Sequence, residues 1–98
     1  MASALRWEHK AGRLALSGEL ESETLNPLWD EREQVTRDIS HIDVSGLSRV
    51  DTAGLALLVH LVSLAQRQRK DLQVTGAGDK LTTLAQLYNL SPDLLPLA

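Results

Sequence analysis

Apolar residues recur along this chain with two rhythms, one near two residues and one near three and a half, and the changes between them mark its elements. Leu5 and Trp7 alternate with Arg6 and Glu8, which predicts a first strand cut short by His9 and Lys10. Lys10-Ala11-Gly12-Arg13 reads as a turn, and Leu14, Leu16, Gly18 and Leu20 predict a second strand paired with the first as a hairpin. The rhythm then lengthens. In "ETLNPLWDEREQVTR", Leu25, Leu28, Trp29 and, less regularly, Val35 fall at helical spacing, with Pro27 in the first turn and acids crowding the early part. One amphipathic helix is expected there.

"ISHIDVSGL", residues 39–47, is short and rich in branched residues, so it predicts a buried strand with Asp43 and Ser45 towards its carboxyl end. Asp71 to Gly76 predicts another strand. "DKLTTLAQLYNL" returns to helical spacing through Leu81, Leu84, Ala85 and Tyr88, with Asp79 as its candidate cap. The tail, "SPDLLPLA", carries two prolines and reads as a turn and an extended end. Strands alternating with helices after one hairpin predict an α/β fold with a mixed, mostly parallel sheet and packed helices. No repeat, low-complexity segment or linker interrupts the chain, and its 98 residues predict one domain over 1–98.

Between the central strand and the last comes "SRVDTAGLALL", where an acid, a hydroxyl and small residues stand ahead of the most hydrophobic helix. Strand, short loop and helix place Asp51 to Gly54 at a helix amino terminus, where free N–H groups and the dipole favour an oxygen ligand from Asp51 or Thr52. A glycine in the first turn costs about 1 kcal/mol relative to alanine, so Gly54 implies a close approach to the backbone. Projected at about 100° per residue, Thr52, Ala53, Ala56, His60, Ser63 and Arg67 share a stripe roughly 100° wide. Leu55, Leu57, Leu58, Val59, Leu61, Val62, Leu64 and Ala65 cover most of the remainder and form the buried arc. A merely solvated stripe would carry Lys and Glu. Two alanines and a histidine make this one a docking surface, with Asp51, Thr52, Ala53, Gly54, Ala56, His60, Ser63 and Arg67 as its candidate residues.

Charge and composition narrow the alternatives. A net charge of −3, with a single basic run at Arg67-Gln68-Arg69-Lys70, argues against a nucleic-acid binder. The absence of cysteine removes disulfides, thiolate metal sites and cysteine nucleophiles, and fits a cytoplasmic address. The amino terminus, charged within six residues, lacks the apolar stretch of a secretion signal. Leu55 to Ala65, the longest apolar run, is broken by His60 and Ser63 and falls short of the roughly 20 residues of a membrane crossing. His9, His41 and His60 have no metal-ligand spacing, no serine sits in a nucleophile elbow, and Gly76-Ala77-Gly78 lacks the third glycine of a dinucleotide loop. No catalytic residues, metal or cofactor are therefore expected. The two tryptophans and one tyrosine are too scattered for a stacking platform.

With the order of elements and "IDVSGLSRVDTAGLALLVHL" in view, the chain resembles the STAS family, the domain of bacterial anti-sigma-factor antagonists and of sulfate-transporter tails. STAS domains carry a buried strand and then a loop "x-D-[ST]-[ST]-G-L" that opens a helix; Asp51, Thr52, Gly54 and Leu55 match it. Within the family, "LALSGEL", "PLWDERE", "SRVDTAGLALLVHL" and "LAQLYNLSPDLLP" are similar to the small cytoplasmic subunit of a phospholipid-trafficking ABC transporter of Gram-negative envelopes. That resemblance implies a non-catalytic subunit, held at the inner membrane through its complex, that docks on the transporter's ATPase subunit and touches the permease only indirectly. In the antagonists the hydroxyl after the loop's Asp is phosphorylated, which makes Thr52 a candidate for modification, but the second hydroxyl of the pattern is replaced by Ala53. A phosphorylation-switched antagonist is the alternative the resemblance implies.

Overall fold

The computed structural model describes residues 4–69 and 71–97. Met1–Ser3, Lys70 and Ala98 lie outside the described residues, and with them the first residues of the amino-terminal stretch and the end of the basic run. The hairpin forms as the alternation predicts: β1 (Arg6–Lys10) and β2 (Arg13–Leu20) pair antiparallel. Ala11 and Gly12 close a two-residue turn with φ of 54° and 76°, the doubly left-handed geometry that matches the strands' twist. His9 and Lys10 do not end β1; they pair with Leu14 and Arg13 up to the turn.

β2 also pairs in parallel with β3 (His41–Val50), which pairs in parallel with β4 (Gln73–Thr75), giving the order β1-β2-β3-β4. Alternation sorts the faces. Leu14, Leu16, Ile42, Val44 and Val74 are buried, in one cluster with Leu28, Leu58, Leu61, Val62, Leu81 and Leu95 from the helices and the tail. Ala15, Ser17, Asp43 and Thr75 point the other way and stay partly exposed. The fold is α/β, with a mixed, mostly parallel sheet.

Other elements also differ from the sequence reading. β3 runs on to Val50, because Arg49 and Val50 extend its ladder with β2 beyond Ser48, which falls at one of two irregularities in register. The loop before the next helix shrinks to Asp51 alone. The helix expected over 23–37 is two short pieces, α1 (Asn26–Asp30) and α2 (Arg32–Val35). At Glu31 the backbone (φ −104°, ψ 13°) tightens, its N–H bonding Leu28 O at 3.1 Å, and the Trp29 carbonyl accepts from the Arg32 side chain at 2.9 Å. β4 is only three residues long. Gly76, at φ 78°, turns the chain away against β3, so close that a Cβ there would lie 2.6 Å from Ser45 Cβ.

The long helix α3 (Thr52–Gln66) and α4 (Asp79–Leu87) complete the order. Asp79 is not the cap of α4: Gly78 holds that position, and Asp79 is the first helical residue, where its charge faces the positive dipole end. α4 ends in a Schellman turn, with Asn89 at φ 58°, Asn89 N–H on Gln86 O at 3.0 Å and Leu90 N–H on Ala85 O at 2.9 Å. Tyr88, placed at helical spacing with the apolar residues, is consequently 52 % exposed, while Leu90 folds back against the core. The tail runs beside β4, where the Val74 N–H donates to Pro96 O at 2.9 Å and Leu97 bridges to Val74 in parallel.

Candidate functional site

The start of α3 is fixed by two intramolecular locks. Asp51 is extended (φ −100°, ψ −175°), and its two carboxylate oxygens accept separately: Oδ1 from Gly54 N–H at 2.8 Å, Oδ2 from Ser22 N–H at 3.0 Å. The cap is therefore Asp51 rather than Thr52, and it also ties α3 to the segment after β2. Burial pushes the Asp51 carboxyl pKa up, but the N–H groups of Ser22 and Gly54 outweigh it and hold the carboxyl below its ordinary value.

Gly54 is the second lock. It is buried, and a Cβ built on it would sit 2.0 Å from the carbonyl oxygen of Leu20, which already accepts the Asp51 N–H at 3.2 Å. The close approach that its presence implied is real, but the approaching backbone belongs to β2. Gly54 is corrected from a partner-facing residue to a packing residue.

Beyond these locks the stripe emerges as projected. Thr52, Ala56, Ser63 and Arg67 are exposed, and Ala53 and His60 are half-buried. Leu55, Leu57, Leu58, Leu61, Val62, Leu64 and Ala65 are buried; Val59, placed on the buried arc by spacing, is half-buried at the stripe's edge. Arg67 caps the far end of α3, some 15 residues or about 22 Å along the axis from Thr52.

Both flanks of the ridge carry residues that spacing alone did not assign to it. On one side the Trp29 ring lies 5.0 Å from the His60 ring, tilted by 38°, with the Arg32 guanidinium carbon 4.0 Å from the indole centroid. Trp29 is 39 % exposed. On the other side, Thr52, Leu55, Ala56, Val59, Tyr88 and Leu90 line a shallow, mostly apolar depression of about 310 Å³. The Trp29 and Arg32 pairing had a sequence signal, a cation three residues after an aromatic on one helix, and Asn89 marked the turn that exposes Tyr88.

The histidines are dispersed: His9 Nε2 bonds Arg37 O at 2.8 Å, His41 Nδ1 bonds Ser40 Oγ at 2.8 Å at the start of β3, and His60 stacks on Trp29. Among the described residues, no three His, Asp or Glu side chains gather in a way that could hold a metal ion. No helix of the described residues is long and apolar enough to cross a membrane.

Residues 3–96 match the family described as "Mlab, STAS domain". The chain belongs to the MlaB-type STAS family. It is 50 % identical over 96 residues, 98 % of this chain and 99 % of the relative, to the intermembrane phospholipid transport system binding protein MlaB of Escherichia coli K12. The MlaB of Shigella flexneri matches to the same extent, and that of Haemophilus influenzae is 32 % identical over 84 residues, 80 % of each chain. The unphosphorylated anti-sigma factor antagonist SpoIIAA is similar in structure, with a TM-score of 0.62 over 86 % of this chain and 83 % of that one. At 13 % identity that likeness shows the shared STAS fold. In this chain's Asp51–Leu55 segment, Asp51 and Gly54 are held by contacts to Ser22 and Leu20, and Thr52 is exposed.

Proposed function

We infer that this chain is a non-catalytic subunit of a phospholipid-transporting ABC system, docking on its ATPase subunit through the α3 ridge and supporting that subunit's assembly and activity. It would sit on the cytoplasmic side, peripheral to the inner membrane, reaching the permease only through the ATPase. The observation that carries this reading is the ridge itself: Thr52, Ala56 and Ser63 exposed and small, between the half-exposed aromatics Trp29 and Tyr88. Small residues let a partner's backbone come close, and flanking aromatics supply the contact area that dominates interface energetics. The relatives' names, binding proteins of an intermembrane phospholipid transport system, point to the system in which to look for the partner.

The test is co-purification with the ATPase subunit. Thr52→Arg and Ala56→Arg are expected to abolish association while leaving the urea midpoint of the free chain unchanged. Retained association by both variants would place the interface elsewhere. A second reading is favoured by the exposure of Thr52 one residue after the capping Asp51: phosphorylation, adding a charge of about −1.5 to −2, would switch partner binding. Intact mass of the chain recovered from cells decides it, since the unmodified mass alone eliminates the switch.

A further inference from the structure

Trp29 is unusual among the aromatics of this face because it is both exposed and held. Its ring carries the Arg32 guanidinium at 4.0 Å, and Arg32 Nη1 donates to the Trp29 carbonyl at 2.9 Å. On the ridge side it meets the half-buried His60 ring at 5.0 Å. Arg32 therefore grips one residue twice, by its ring and by its backbone, at the break between α1 and α2. An exposed indole left free would sample several rotamers and lose that freedom on binding; one already held loses little.

We propose that Arg32 is a positioning residue of the docking face: it fixes the Trp29 indole beside His60, so that indole and α3 ridge meet the ATPase subunit as one preformed surface. This rests on the docking reading given above. Arg32 acts through Trp29, whose ring and carbonyl its guanidinium engages.

The test is a double-mutant cycle on binding to the purified ATPase subunit, with Thr52→Arg as the control for the ridge. Arg32→Ala is expected to weaken binding about two- to tenfold, the size of one side chain's ordering cost. In a Trp29→Ala background the same change is expected to do nothing further, since the residue through which it acts is gone. Equal losses in both backgrounds would show Arg32 contacting the partner directly and overturn the proposal. So would full affinity in Trp29→Ala or Arg32→Ala; if Thr52→Arg still abolishes binding, the docking reading survives that failure, and if it does not, both fall.

A second measurement needs no partner. With Trp7→Phe leaving Trp29 as the one tryptophan, Arg32→Ala is expected to lower its fluorescence anisotropy and near-ultraviolet dichroism, and Arg32→Lys to restore part of both. Unchanged signals would mean that the indole is held by something other than Arg32, and the proposal would fail.

Discussion

Replacing Gly54 with alanine adds one methyl group to a helix, a change that local propensity alone favours by about 1 kcal/mol. The structure predicts the opposite sign. The new Cβ would lie 2.0 Å from Leu20 O and 2.8 Å from Leu20 C, inside any tolerable contact. The obstacle cannot rotate aside, because it is backbone at the end of β2, and its oxygen accepts the Asp51 N–H at 3.2 Å. Relief therefore requires α3 to move away from β2. That movement strains a packed contact, at about 1–3 kcal/mol, and stretches the capping bonds from Asp51 to Gly54 and Ser22, at about 1 kcal/mol more. Offset by the helical gain, Gly54→Ala should lose about 1–3 kcal/mol, which for a chain of this size is roughly 4–24 °C in Tm. Urea and thermal denaturation of the purified chain, without partner, measure it. A midpoint equal to or above that of the parent would refute the assignment of Gly54 to intramolecular packing. A stable variant that fails only to bind the ATPase would return it to the interface.

Asp51→Ala should cost about 1 kcal/mol near neutral pH and flatten the acid limb of stability. Because the folded pKa of Asp51 is depressed, its contribution is present above the unfolded value near 3.9 and is lost as pH falls through the lower folded one. Asp43, held low chiefly by the Ser45 N–H, keeps part of that limb, so the slope below about pH 4 should shrink rather than vanish; an unchanged slope contradicts the capping account. Gly76→Ala should destabilise by about 1–3 kcal/mol in urea titrations, since φ of 78° and Ser45 Cβ at 2.6 Å both oppose a side chain; an unaltered midpoint would show that β4 can end differently. Tyr88→Ala should leave the free chain within about 0.5 kcal/mol of the parent but weaken ATPase binding measured by titration, and intact affinity would remove the depression beside Thr52 from the interface.

Much of this was legible in the sequence because period and punctuation agreed there. Alternation set both hairpin strands, and helical spacing separated the ridge of α3 from its buried arc, with Ala53, Val59 and His60 half-buried along the boundary. What spacing could not carry was the partner of each close approach. Gly54 announced a neighbouring backbone without saying whose, and only the pairing of Leu20 with Val50 brings the end of β2 beneath it. Trp29 falls at helical spacing with Leu25 and Leu28, which does not say which way it faces; the break at Glu31 and the grip of Arg32 keep it at the surface. Tyr88 failed for the same kind of reason, a left-handed Asn89 ending α4 before its last apolar position could turn inward.

The loop motif thus divides its labour between residues that build and residues that remain available. Asp51 accepts a backbone N–H on each carboxylate oxygen and Gly54 has its space filled by β2, so both are engaged within the fold. Their work is to hold the first turn of α3 at a fixed height over the sheet. Thr52, one residue on, faces outward because its neighbours are fastened, and Ala56 and Ser63 follow it at helical intervals. A surface presented by so rigid a mount binds with little reorganisation, which makes small side chains sufficient where a mobile loop would need more contacts for the same affinity. Substitutions in the two classes should accordingly differ in kind. Changes at Asp51 or Gly54 lower stability and binding together, because the mount shifts. Changes at Thr52 or Ala56 lower binding alone, and a Thr52→Arg chain that unfolded at lower urea than its parent would show that the division is not this clean.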